Sequence, residues 1–245
     1  MLFLSALIRI NHLSTLTNSG SRFSLTRRFT HLTFDCYGTL IDWRSSVDYY
    51  LGSLLQLRGL HRGVSVHATY VKLEAEQEGE YKPYREILRD AAILVAKHFG
   101  LSLTDGEAQE FVDTIQDWEP FADTRDSLRA LGARGYKRII LSNVDRDLLE
   151  KTVAKNNLEV DGYITAEDVG SYKPSVGHWT RFFEEYKVSR RETLHVAQSV
   201  YHDIVPTTEL GIANAWINRY AEQKPAGVNP SWILPNLTCL LDVLD

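Results

Sequence analysis

The sequence predicts an α/β protein, a doubly wound parallel sheet of Rossmann-like build with an inserted helical cap. Three observations carry that expectation. Short runs of strand-forming residues end in polar or acidic side chains, as in Leu32-Thr33-Phe34-Asp35 and Ile139-Ile140-Leu141-Ser142-Asn143. Such runs alternate with helix-periodic stretches, the rhythm of parallel strands joined by right-handed crossovers. Between the first two strands lies a run of about 75 residues with no convincing strand of its own.

The first strand begins near His31 and stops where Gly38-Thr39 breaks the run, leaving Asp35 at its carboxyl end. Open α/β sheets bind their ligands at that edge. Val47, Tyr50, Leu51, Leu54, Leu55 and Leu57 then recur at helical spacing, which predicts an amphipathic helix over residues 44–59. A second helix is expected from His67 to Gln77, and Pro83 opens a third that Gly100 ends. Thr104 and Glu107 have the spacing of a capping box at the start of a fourth. Residues 44–118 therefore read as a helical cap, with Trp118-Glu119-Pro120 leading back to a core made of 31–43 and 119–245.

In that returning segment the expected order is a helix from Thr124 to Arg134, a strand from Arg138 to Leu141 and a helix from Asp145 to Lys155. A strand at Gly162–Thr165, a helix over Ser175–Tyr186 and a strand at Leu194–Ala197 follow. A helix from Ile204 to Leu210, stopped by Gly211, precedes a strand at Ala213–Ile217 and a short final strand and helix between Trp232 and Leu244.

At 245 residues the chain can bury one sizeable core plus an insert. A net charge of −5 without a Lys/Arg run offers no footprint for nucleic acid, and no apolar run reaches the ~20 residues that cross a bilayer. The expected partner is a small-molecule substrate. Two unpaired cysteines, Cys36 and Cys239, point to a reducing, intracellular setting, with Cys36 read as core. Residues 1–34 contain no acid and mix Arg with Ser and Thr. Residues 1–30 are therefore expected to be a leader: a transit peptide to the mitochondrion, or a disordered or mis-assigned start on a cytoplasmic protein.

Asp35 at a strand end could be a nucleophile, a metal ligand or a turn cap. Lys173, just before Pro174, is the cation that could keep it ionised, and Thr39 can donate to it. Ser142 and Asn143 end a neighbouring strand, where they can donate to developing negative charge or cap the next helix. His202-Asp203, in the loop after the Leu194 strand, supplies a second acid.

An Asp strand, a Ser strand, a Lys loop and an Asp loop, in that order, resemble the haloacid dehalogenase superfamily over residues 31 to 244. Tyr37, two residues after Asp35, gives the closest likeness to the L-2-haloacid dehalogenase branch, since the phosphatases carry a second Asp there. The resemblance implies a metal-independent hydrolase, without organic cofactor, that forms an ester on Asp35. It assigns catalysis to Asp35, Lys173, Asp203, Ser142 and Thr39, substrate contact to Tyr37, Asn143 and Trp179, and a homodimer as the assembly. It also marks departures: Val66 stands where those enzymes hold an arginine for the halide, with Arg58 and Arg62 nearby, and Gln198 and Val200 replace a serine and an asparagine. The alternatives are a magnesium-dependent phosphatase or phosphotransferase of the same superfamily, with Asp35 and Asp203 on the metal, and a binding protein without turnover. Against phosphoryl transfer, Tyr37 removes a general acid and Gln198 a carboxylate for magnesium.

Overall fold

The computed structural model describes residues 28–244, so the expected leader lies almost wholly outside the described residues. Among the described residues six strands form one parallel sheet in the order β3-β2-β1-β4-β5-β6. They are β1 (His31–Phe34), β2 (Lys137–Ser142), β3 (Gly162–Thr165), β4 (Thr193–Ala197), β5 (Ala213–Ile217) and β6 (Trp232–Leu234). The central strands are buried on both faces: all five residues of β4 are buried, its polar Thr193 and His195 included. Strand order reverses between β1 and β4, so a crevice opens at their carboxyl ends. Parallel pairing sets Phe34 opposite both Ile140 and Val196, which brings the residues that follow all three strands to one edge.

Between β1 and β2 the chain makes α1 (Trp43–Leu57), α2 (His67–Ala75), α3 (Tyr84–His98) and α4 (Asp105–Asp113). Asp42 caps α1 by accepting from Ser45 N, and the Thr104/Glu107 capping box starts α4. α3 buries Ile87, Leu88, Ala91, Ala92 and Val95, and it packs against both α2 and α4. Chain exit and return run side by side: Ile41 bridges to Pro120, and Asp42 N donates to Glu119 O.

α5 (Thr124–Ala133), α6 (Arg146–Lys155), α7 (Ala166–Val169) and α8 (Gly177–Tyr186) connect the next strands. A π-helical turn, Val200–Ile204, leads into α9 (Val205–Glu209), and α10 (Thr238–Val243) ends the chain. The expected Ile204–Leu210 helix thus starts earlier and opens with a wider turn, which carries Asp203.

The start of α6 differs from expectation. Asn143 does not cap it, and the side chain of its first flanking residue, Asp145, turns away from it. Asp145 instead accepts from Tyr84 N (2.7 Å), Arg85 N (3.1 Å) and Arg85 Nε (2.8 Å), so a core carboxylate caps α3 of the helical insert. Two orphan N–H groups at that helix end, and its partial positive charge, account for the preference.

Candidate active site

Asp35 follows β1 directly, and its backbone N–H continues the ladder to Val196 O. The chain then turns sharply at Gly38, whose φ of +100° suits glycine. A Cβ there would stand 2.8 Å from Trp43 Nε1, so the turn also needs the missing side chain. It places Thr39 Oγ1 2.7 Å from Asp35 Oδ2, to which it donates, while accepting from Gln198 N.

Lys173 arrives from the loop between α7 and α8. Its peptide is clamped by Asn143, which accepts from Lys173 N (2.7 Å) and donates to Lys173 O (3.0 Å). Its side chain is buried, and Nζ donates to Asp35 Oδ1 (2.9 Å), Asp203 Oδ1 (2.7 Å) and Leu141 O (2.9 Å). Three donors meet three acceptors, which exhausts the ammonium. Asp203 Oδ1 also accepts from His195 Nε2 at 2.9 Å, and its Oδ2 is buried without a hydrogen-bond partner.

Two carboxylates around one ammonium cannot be equally acidic. Burial works against ionised Asp203, but Lys173 and His195 outweigh it and hold the carboxyl well below its ordinary value. Burial would depress Lys173, yet both carboxylates keep it firmly protonated. For Asp35 burial dominates: Lys173 pulls its carboxyl down, but burial with the charge on Asp203 moves it upward overall. Asp203 is therefore the fixed counter-ion, and Asp35 is the carboxylate whose charge depends on the lysine.

These groups form one end of a cavity of about 440 Å³. Asp35, Tyr37, Ser142, Asn143, Lys173 and Asp203 line it, and Thr39 stands directly behind Asp35. Tyr37 donates to or accepts from Thr152 Oγ1 and meets Trp118 edge-on. Although Asn143 reaches the cavity, both ends of its amide are engaged with the Lys173 backbone.

Trp179 is not brought there. It packs on the other side of the sheet with Ile139, Leu141 and Phe182, edge-on to His195. α8 begins only at Gly177, and its first turn directs this position beneath β2.

The helical insert supplies walls that sequence reasoning missed, among them Arg44, Tyr70, Glu74 and Glu78. Arg44 lies 3.6 Å over the Tyr220 ring and pairs with Glu222 at 2.6 Å, leaving its buried Nε without a partner. Glu78 meets His202 at 3.0 Å, and Glu74 accepts from Tyr84 Oη at 2.8 Å. Burial, then the neighbouring Glu78, pushes Glu74 up to about 8. Neither Val66 nor the surface pair Arg58–Glu107 reaches the cavity.

The chemistry of the donors argues against a divalent cation between Asp35 and Asp203. An ammonium holds both, and the third position is Gln198, whose amide donates to Glu222. Among the described residues no group of three or more His, Cys, Asp or Glu side chains is arranged to hold a metal ion.

A nucleophile-bearing strand, a lysine loop and an acid loop on this sheet match one family model, that of haloacid dehalogenase-like hydrolase, over residues 29–204. This chain belongs to that family. It is 29% identical to the (S)-2-haloacid dehalogenase of Pseudomonas putida over 77% of this chain and 84% of that one. It is 25% identical to haloacetate dehalogenase H-2 of Moraxella sp. (strain B) over 89% and 99%. The L-2-haloacid dehalogenase of Xanthobacter autotrophicus with chloropropionic acid covalently bound superposes with a TM-score of 0.78 at 20% identity, covering 88% and 98%. The HAD-hydrolase YfnB of Bacillus subtilis, bound to magnesium, superposes at 0.74 with 18% identity, covering 89% and 100%. The shared fold thus accommodates both a covalent acid and a metal ion. Membership makes the chain a hydrolase of α/β architecture. No helix among the described residues is long and apolar enough to cross a membrane.

Proposed function

We propose that this hydrolase removes halide from a short 2-haloacid by direct attack of Asp35 on carbon, without a metal. The observation that carries the reading is Lys173 Nζ bonded to both Asp35 and Asp203, at a site where Tyr37 and Gln198 stand in place of the two further acids of the phosphatases. The names of the relatives point to the same substrate class.

In the first step an Asp35 carboxylate oxygen bonds to C2 with inversion, and halide departs with the bonding pair. Thr39 and Lys173 hold the two carboxylate oxygens, so the nucleophile is oriented before substrate enters. Ser142, at the end of β2, faces the cavity where a substrate carboxylate can be received. Arg44 Nε is a buried cavity-side donor for the departing anion, supplied by α1 in place of an arginine near Val66. In the second step water adds to the Asp35 carboxyl carbon with its proton passing to Asp203. The ester C–O bond then breaks, the 2-hydroxy acid takes that proton, and Asp35 returns as a carboxylate after losing one proton to solvent. Residues 44–118 act as a lid whose aromatic and acidic wall excludes water and selects the substrate.

The test is an intact-mass measurement on protein mixed with 2-chloropropionate and quenched early, beside phosphate release from a phosphomonoester with and without magnesium. An added mass mapped to Asp35, absent in Asp35→Asn, supports the reading. Magnesium-dependent phosphate release with no such adduct overturns it.

A further inference from the structure

His195 has no part in the reaction as described, yet it is fully buried beneath the site. It sits on β4, opposite Thr33 of β1 in the parallel register. Its Nδ1 lies 2.8 Å from Thr33 Oγ1 and its Nε2 2.9 Å from Asp203 Oδ1. The carboxylate of Asp203 can only accept, so Nε2 carries the hydrogen, and in the neutral ring Nδ1 accepts a hydrogen bond from the Thr33 hydroxyl. The imidazole is thereby held at both nitrogens between two side chains from adjoining segments of the core.

The consequence falls on Asp203. His195 and Lys173 both donate to Oδ1, which pins one oxygen of the carboxylate and fixes its plane. The other oxygen, Oδ2, is buried and unpartnered, on a residue that lines the cavity holding Asp35. An unsatisfied buried carboxylate oxygen is costly and calls for a partner that arrives during the reaction. We infer that His195, held by Thr33, is a positioning residue that reserves Asp203 Oδ2 for the water that hydrolyses the Asp35 ester. It has no role in the displacement that forms the ester, since it touches neither Asp35 nor the cavity. This inference rests on the Asp35 ester mechanism, and its test separates the two steps.

Wild type, His195→Phe, His195→Asn, Thr33→Val and Thr33→Ser are mixed with 2-chloropropionate and quenched over time, with halide release and the Asp35 adduct followed together. His195→Phe should lower the rate of ester hydrolysis at least 30-fold while first-turnover halide release stays within about threefold, so that the adduct accumulates. Thr33→Val should show the same split more weakly, and Thr33→Ser, which keeps the hydroxyl, should restore hydrolysis; His195→Asn should recover part of what His195→Phe loses. Equal slowing of both steps, or unchanged hydrolysis in His195→Phe, overturns the inference. Absence of any Asp35 adduct in wild type overturns the ester mechanism instead. Ring nitrogen resonances of the resting protein give a readout free of turnover: a His195 ring with its hydrogen on Nδ1 also overturns the inference.

Discussion

Replacing Lys173 with methionine tests the electrostatic core of the site. The ammonium sits 2.9 Å from Asp35 and 2.7 Å from Asp203, and at an effective dielectric near 20 each contact is worth about 6 kcal/mol of Coulomb energy before desolvation. Removing one partner of such a buried group costs about 3–5 kcal/mol of stability, because two carboxylates remain with no counter-charge. Lys173→Met should relieve that by taking up a proton. Asp203 keeps His195 as a donor, so the proton falls on Asp35, whose carboxyl already lies above its ordinary value. A protonated Asp35 is no nucleophile. Activity at neutral pH should drop by roughly three to four powers of ten, the equivalent of about 4–6 kcal/mol in the barrier. The acid limb of the pH–rate profile should also move to higher pH. The assay is first-turnover halide release across pH 5–10, with circular dichroism to confirm folding. A folded variant within tenfold of wild type at pH 7, with its acid limb unmoved, would refute the assignment of Lys173.

The Glu74 carboxyl is held up to about 8 in the fold against an ordinary 4.5, so its contribution to stability is complete below 4.5 and is lost as pH rises toward 8. Glu74→Gln should flatten the fall in Tm between pH 5 and 8.5. It should not abolish it, because His202, raised by Glu78 against the opposing effect of burial, titrates in the same direction; equal slopes in both proteins would remove Glu74 from the account. Trp179→Ala should cost about 3–5 kcal/mol in denaturant unfolding through the cavity it leaves, with KM for the 2-haloacid unchanged. A severalfold rise in KM would return this tryptophan to the substrate.

The parts of the site that were legible in the sequence are those fixed by strand ends. A run such as Leu32-Thr33-Phe34 declares both its strand and the edge from which Asp35 projects, and the same holds for Ser142 at the end of β2. Parallel pairing then does the rest, since in-register strands deliver their following residues to one crevice. Positions on helices were harder. Trp179 is assigned to the substrate by the resemblance alone, but a helix starting two residues earlier turns that side chain under the sheet. Asp145 has the look of a local cap and instead caps α3, whose start is 61 residues away in the chain. His195 lies in a strand buried on both faces, where a histidine reads as core until its partners are known. The wall of Arg44, Glu74 and Glu78 was invisible for a related reason: apolar periodicity reports the face a helix buries, while Arg44 and Glu74 belong to the remainder and Glu78 lies in the loop after α2.

Fold alone does not choose between carbon and phosphorus, since a magnesium-bound hydrolase superposes on this chain nearly as well as a covalently loaded dehalogenase. What bears on the choice is the set of groups around the two acids. Magnesium demands near-octahedral oxygen ligands at about 2.0–2.1 Å, and would have to share Asp35 and Asp203 with an ammonium that already has all three hydrogens bonded. It would gain a glutamine where a carboxylate is wanted, with that amide donating to Glu222. Asp35 would also be asked to serve a +2 ion while its second oxygen is held by Thr39. Each exchange costs the metal a ligand or the protein a satisfied hydrogen bond. A carbon electrophile asks for none of them: the lysine stays, the carboxylate remains aimed, and only the leaving group needs a new partner.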